Sequence, residues 1–340
     1  MTKYVILGSG VIGLYTAYLL LEQGFSSKDI RIVAKHVPGD LSHDYASPYA
    51  GATVNFVKST DPDIKSYYKY TYQKLGEIRK KFGASSCGVD LTTNTESWIE
   101  MPKKEQLEFF KSYNNNWREL KAEEMPKGAK FGLSYQTFVI NSPLFIRKLF
   151  DFVTSEGIKV DKREVKHISE IFDSNTEIVF NCSGLGASKL GGVEDSKCHP
   201  TRAQVTVIRA PHLEGVRLHW NESANYMIKR PFSGDEVILG GFYQPKNYNR
   251  DVNGYETKDI LKRVTECFPI LKEGQSIKDL DILREVSAFR PGREGGVRIE
   301  KESISGKTVV HNYGAEGTGF VQGLGMARHA IQLAIRSSKL

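Results

Sequence analysis

Two glycine-rich turns carry the residue types that can do chemistry in this chain. The first is Gly8-Ser9-Gly10-Val11-Ile12-Gly13, set between a short apolar run at 4–7 and a helix-forming segment at 14–22. Gly8 permits a tight turn, Gly10 lets a pyrophosphate approach the backbone, and Gly13 lets helix and strand pack closely. N–H groups at the helix start then face negative charge. Gly24 ends that helix and 30–34 (I-R-I-V-A) reads as a second strand, which is the full context of a dinucleotide fingerprint. The second turn lies in V-V-H-N-Y-G-A-E-G-T-G-F-V-Q-G-L-G-M-A, 309–327. A strand at 308–310 is expected to break into positive-φ glycines at Gly314, Gly317 and Gly319, and a helix to run to about 336. Two such turns at opposite ends of one chain predict a long cofactor held twice.

The acidic residue that usually holds an adenosine ribose at the end of the second strand is replaced by Lys35 and His36. Lys35 reads as a solvated rim charge; the competing reading, acceptance of a 2′-phosphate, would make the protein an NADP-dependent reductase. Arg290 follows the apolar V-S-A-F run and precedes Pro-Gly, so it is expected to project from a strand end into a cleft. Its planar fork matches a carboxylate bidentately. Arg293 and Arg298 read as solvated charges. The four cysteines show no metal-ligand spacing and are expected to be reduced thiols, with no metal site.

The 340 residues suit one large or two intertwined domains, and no run reaches the length of a membrane span. The net charge of +7 is scattered among 40 acidic residues, which argues against nucleic-acid binding. A polar, tyrosine-rich stretch from 45 to 138 contains Y-Y-K-Y-T-Y at 67–72, read as a helix start. Ser142-Pro143 is expected to cap a helix to about 155, and 178–182 to form a buried strand ending in Ser183-Gly184. From 201 to 243 the pattern changes to short alternating strands, with a hairpin turning through 233–235, and a helix follows at 258–268. The predicted architecture is α/β, a discontinuous Rossmann-like nucleotide domain (1–48, 141–190, 281–336) with an inserted, mainly antiparallel β-sheet substrate domain (49–140, 191–280).

The fingerprint at 5–20, S-P-Y-A-G-A at 47–52, V-F-N-C-S-G-L-G-A at 179–187, P-T-R-A-Q-V at 200–205, Y-M-I-K-R-P at 226–231, F-R-P at 289–291 and H-N-Y-G at 311–314 together resemble the FAD-dependent D-amino acid oxidases, a family that includes D-aspartate oxidases. The resemblance implies FAD as cofactor, a D-amino acid and O₂ as substrates, and a 2-oxo acid, ammonia and H₂O₂ as products. It implies that Arg290 and the Tyr226 hydroxyl hold the substrate carboxylate and that the Gly317 carbonyl accepts from the substrate amine. Ala50, Gly51, Thr53, Asn55, Cys182, Ser183, Gly184 and Thr318 would flank the flavin. The N–H groups of Gly319, Phe320 and Val321 would face its pyrimidine edge. The closing Ser338-Lys339-Leu340 matches a peroxisomal import address read by the import receptor, so 337–340 is expected to be a targeting tail. A homodimer is one assembly left open.

Three residues depart from the family pattern. Glu222 stands where many members carry a second tyrosine. Glu316 replaces a small residue; it is expected to face solvent or pair with a basic neighbour, and otherwise to edge the pocket and favour polar or cationic side chains. Lys229 faces opposite Tyr226 by strand alternation; turned inward, it would pair a β-carboxylate and make the substrate D-aspartate. His311 reads as a packing histidine.

Overall fold

The computed structural model describes residues 2–272 and 276–335; the terminal Ser338-Lys339-Leu340 lies outside them. In chain order, β1 (Tyr4–Leu7), α1 (Val11–Glu22) and β2 (Ile30–Ala34) are followed by α2 (Pro62–Phe82), the single turn α3 (Ala84–Cys87), β3 (Val89–Trp98), α4 (Lys104–Lys111), β4 (Trp117–Glu119) and β5 (Phe131–Ile140). Next come α5 (Ser142–Ser155), β6 (Lys159–Lys162), β7 (Ile178–Asn181), β8 (Cys198–Arg209), β9 (Val216–Trp220), β10 (Ala224–Lys229), β11 (Glu236–Gly240) and β12 (Gln244–Pro245). The chain closes with α6 (Gly254–Cys267), β13 (Asp281–Arg293), β14 (Arg298–Ile304), β15 (Lys307–Tyr313) and α7 (Gly319–Ile335).

One sheet has the order β14-β15-β7-β1-β2-β6, parallel from β15 to β6 with β14 antiparallel at the edge. A parallel sheet is covered on both faces, which is why its strands read as unbroken apolar runs. Ile6 joins the core made with α1, α5 and α7, while Val5 and Leu7 pack on Ile168 and Ile171 behind. The second sheet runs β12-β8-β11-β10-β9-β3-β5-β4, with β13 also paired to β8; β3–β9 is its one parallel pair. Alternation along β10 sends Met227 to α6 and Tyr226 with Ile228 to the opposite face.

Local signals place several boundaries differently from expectation. α2 starts at Pro62, five residues before the tyrosine run, because Asp61 caps it by accepting from the N–H groups of Asp63 and Ile64. Asn141, one residue ahead of Ser142, caps α5, and Asn253 starts α6 at Gly254. The expected domain limits shift too. β13 pairs with β8 along its length, so the chain rejoins the six-stranded sheet only at β14, not at 281. α2 falls in the stretch assigned to the substrate domain, yet its Tyr68, Leu75 and Ile78 share one core with α1 and α7. Its apolar residues recur at helical spacing and are covered from the nucleotide side as well as by Phe138 of β5.

Candidate functional site

The first turn is built as its glycines predict. Gly8 sits at φ +106°, and a Cβ there would lie 2.5 Å from the Cys182 carbonyl oxygen. A Cβ on Gly13 would lie 2.0 Å from the Gly8 oxygen, so this glycine exists for helix–strand contact and does not line the cavity. Gly10 is the extended N-cap of α1 and offers no side-chain cap. Among the first-turn donors, Val11 N–H is taken by Ser47 Oγ at 3.0 Å. Ser9 Oγ donates to the His36 carbonyl, and Tyr45 donates to the Ser9 carbonyl at 3.0 Å, fixing the turn against the end of β2. His36 stacks on Tyr45; burial, reinforced by the Lys35 charge, holds its pKa below the ordinary value. Lys35 is the rim charge expected, pairing with Glu164 at 2.7 Å where both are exposed.

The C-terminal turn differs from expectation in its conformation. Gly314 adopts φ +85°, but Gly317 and Gly319 do not take positive φ; the second left-handed residue is Glu316, at φ +49°. Val321 N–H turns back to the Thr318 carbonyl at 3.0 Å and is already committed. The N–H groups of Gly319 and Phe320 find no backbone acceptor among the described residues. Only these two of the three expected donors are therefore open to a ligand.

Both turns face one continuous cavity of about 1630 Å³, larger than the usual small-molecule pocket. It runs from Lys35, His36 and Glu164 to Tyr226, Tyr243 and Arg290. Every other residue named above from the sequence as touching cofactor or substrate lines it. Several buried polar atoms on its wall lack a partner among the described residues: His36 Nε2, Ser183 Oγ and Asn312 Oδ1. Buried polar atoms are nearly always satisfied, so these orphans fit a polar, elongated ligand such as FAD. The Cys182 thiol is not reactive; burial pushes its pKa up to about 12.

At the far end, Arg290 lies inside β13 rather than at a strand end, opposite Thr201 of β8. Its Nη1 donates to the Phe242 carbonyl at 2.9 Å, which aims the remaining guanidinium face into the cavity. Among the described residues no carboxylate lies within ion-pair distance of it. The Tyr226 hydroxyl adjoins it; burial raises that phenol's pKa and the Arg290 charge opposes the rise. A Cβ on Gly240 would sit 2.1 Å from Tyr226 Cζ, and one on Gly241 2.6 Å from its hydroxyl oxygen. The Gly240-Gly241 pair therefore makes the slot that Tyr226 fills. Arg293 and Arg298, expected to be solvated, are largely buried against Asp195, at 2.8 and 3.9 Å. Asp195, in the loop before β8 and distant in sequence, draws both in, and Arg298 also pairs with Glu300 and Glu302 of its own strand.

Lys229 faces away from the cavity, donating to the Ala210 carbonyl at 3.0 Å and to Asp235 at 2.8 Å. His311 is fully buried between Asn181 and Glu302, a packing role. Glu222 is exposed and outside the cavity. Tyr243 takes the neighbouring space instead, with its ring 5.9 Å from the Arg290 guanidinium. It was missed because nothing distinguishes it locally except its place just after Gly240-Gly241-Phe242. Glu316 is half-buried and pairs with no base among the described residues: it accepts from Thr201 Oγ1 at 2.6 Å, and the Tyr243 hydroxyl lies beside it. Burial, with that carboxylate, pushes the Tyr243 pKa up to about 12.

The family model of FAD-dependent oxidoreductases matches residues 3–333. A D-amino-acid oxidase of Schizosaccharomyces pombe is 37% identical over 99% of this chain and 97% of its own length. A D-aspartate oxidase of Talaromyces thermophilus is 27% identical over 99% of this chain and 96% of its own. The crystal structure of glycine oxidase from Bacillus cereus superposes with a TM-score of 0.75 at 16% identity, covering 99% of this chain and 96% of that one. This last likeness supports the fold: mixed α/β with a nucleotide sheet and a second sheet.

Proposed function

Because the chain belongs to the FAD-dependent oxidoreductase family, we propose that it oxidises D-amino acids to imino acids, which hydrolyse to 2-oxo acids and ammonia, with O₂ reduced to H₂O₂. The observation that carries the reading is Arg290, a guanidinium without a carboxylate partner among the described residues, beside the Tyr226 hydroxyl in a cavity whose other end is the dinucleotide turn. Arg290 takes the α-carboxylate bidentately and Tyr226 adds a neutral donor. The Gly317 carbonyl, next to Arg290, accepts from the α-amine; a Cβ on Gly317 would lie 3.5 Å from Arg290 Cδ. FAD, when bound, supplies the two-electron acceptor that takes the Cα hydride and returns the electrons to O₂. Hydride loss from a neutral amine needs no side-chain base, consistent with the lack of a His–carboxylate pair near Arg290 among the described residues. The residues that would hold the cofactor are the Gly8–Gly10 turn, His36, Ser183 and the open N–H groups of Gly319 and Phe320.

Neither alternative gains a residue to rest on. Lys35 is engaged by Glu164, which removes the reason for an NADP reductase, and Lys229 is turned from the cavity, which removes the sequence argument for D-aspartate. The test is peroxide release across a panel of D- and L-amino acids, with anaerobic bleaching of the flavin band. Bleaching by D- but not L-forms supports the assignment; a flavin indifferent to every D-amino acid overturns it. Delivery to peroxisomes through Ser338-Lys339-Leu340 is part of the proposal, tested by relocation of a fluorescent fusion on deleting those residues. Assembly as a homodimer is tested by light scattering.

A further inference from the structure

We propose that Glu316 sets the charge selectivity of the substrate cavity, disfavouring D-amino acids with a second carboxylate and favouring those with cationic side chains. The inference deepens the function proposed above and rests on it. The carboxylates lining the cavity are Asp44, Glu164 and Glu316, and Glu164 pairs with Lys35 at 2.7 Å. Asp44 and Arg250 pair with each other at 3.1 Å. Arg290 is matched by the substrate's α-carboxylate. That leaves Glu316 as the one lining carboxylate with no basic group within ion-pair distance among the described residues.

The carboxylate is held in place rather than free to leave. Thr201, which faces Arg290 across the β8–β13 ladder, donates to it at 2.6 Å, and Tyr243 lies beside both it and Arg290. The neighbouring Gly317 abuts the Arg290 side chain. The charge therefore stands within about one side chain of the carboxylate-binding fork. Its backbone is in the left-handed region at φ +49°, where glycine is the unstrained choice. A glutamate kept where the backbone favours glycine, with its charge in the cavity wall, points to use of that charge.

A like charge about 8 Å away, at the effective dielectric of a partly wet site, changes relative transition-state binding roughly 10- to 30-fold. The test compares the unaltered holoenzyme with Glu316→Gln and with Glu316→Gly, which the backbone conformation accommodates. The readouts are kcat/KM for D-aspartate, D-alanine and D-lysine, and flavin-monitored binding of malonate against propionate. The expected result is a rise of about tenfold or more in the D-aspartate to D-alanine ratio and in the malonate to propionate ratio, with a fall in the D-lysine to D-alanine ratio. Ratios unchanged within twofold in a variant that folds and holds flavin overturn the inference. Absence of D-alanine turnover in the unaltered enzyme would instead overturn the function, and the carboxylate-binding ratios would then decide the role of Glu316.

Discussion

Replacing Arg290 tests the carboxylate fork most directly, and the magnitudes follow from its contacts. Arg290 spends Nη1 on the Phe242 carbonyl and presents the rest of its donors to the cavity beside Tyr226. A bidentate pair with the substrate carboxylate comprises two charge-assisted hydrogen bonds, about 1.5–3 kcal/mol each. Arg290→Ala loses both and should lower kcat/KM for D-alanine by roughly 10²–10⁴-fold. Arg290→Lys keeps a charge but cannot bond Phe242 and both carboxylate oxygens together, so a loss near 10²-fold is expected. Tyr226→Phe removes one donor to the ionised carboxylate, about 1.5–3 kcal/mol, and should cost roughly 10- to 100-fold. The assay is peroxide release under initial-rate conditions, with flavin absorbance confirming that each variant holds its cofactor. A loss below tenfold in Arg290→Ala, or a larger effect of Tyr226→Phe than of Arg290→Lys, would refute the assigned roles.

Other predictions test the frame around the site. Gly240→Ala places a methyl 2.1 Å from Tyr226 Cζ and should displace that ring, raising KM for D-alanine severalfold with FAD retained; an unchanged KM would separate Tyr226 from substrate binding. Gly13→Ala puts a methyl 2.0 Å from the Gly8 oxygen, a backbone clash costing at least about 1–3 kcal/mol, so a lower melting temperature and weaker flavin retention are expected in thermal and spectral titrations. Glu236 accepts from Arg284 at 2.6 and 2.7 Å and from Arg230 at 2.8 Å; the Arg284 bonds outweigh burial and hold its carboxyl below the ordinary 4.5. A carboxylate with a depressed folded pKa contributes stability that is full above about pH 4.5 and lost as pH falls through the folded value. The melting temperature of Glu236→Gln should accordingly fall less steeply than that of the unaltered protein between pH 5 and 3, and parallel curves would count against it.

Local backbone demands were legible in the amino-acid order. A tight turn that must accept a phosphate needs glycine at Gly8 and Gly10, and a helix that must touch a strand needs Gly13; each requirement is met within six residues. Unbroken apolar runs likewise exposed β1 and β7, alternating runs exposed the β10–β11 hairpin, and the fork of Arg290 announced its chemistry by residue type. What the tertiary structure alone decided are relations between distant segments. Glu316 meets Thr201 across 115 residues, and Arg290 meets Phe242 across 48. Asp195 draws Arg293 and Arg298 out of solvent, Glu164 occupies Lys35, and α2 covers the nucleotide core as well as the substrate sheet. Turn geometry is a property of neighbouring dihedrals, whereas the partner of a charge is fixed by strand register and packing, so only the folded chain shows which carboxylate stands beside the substrate.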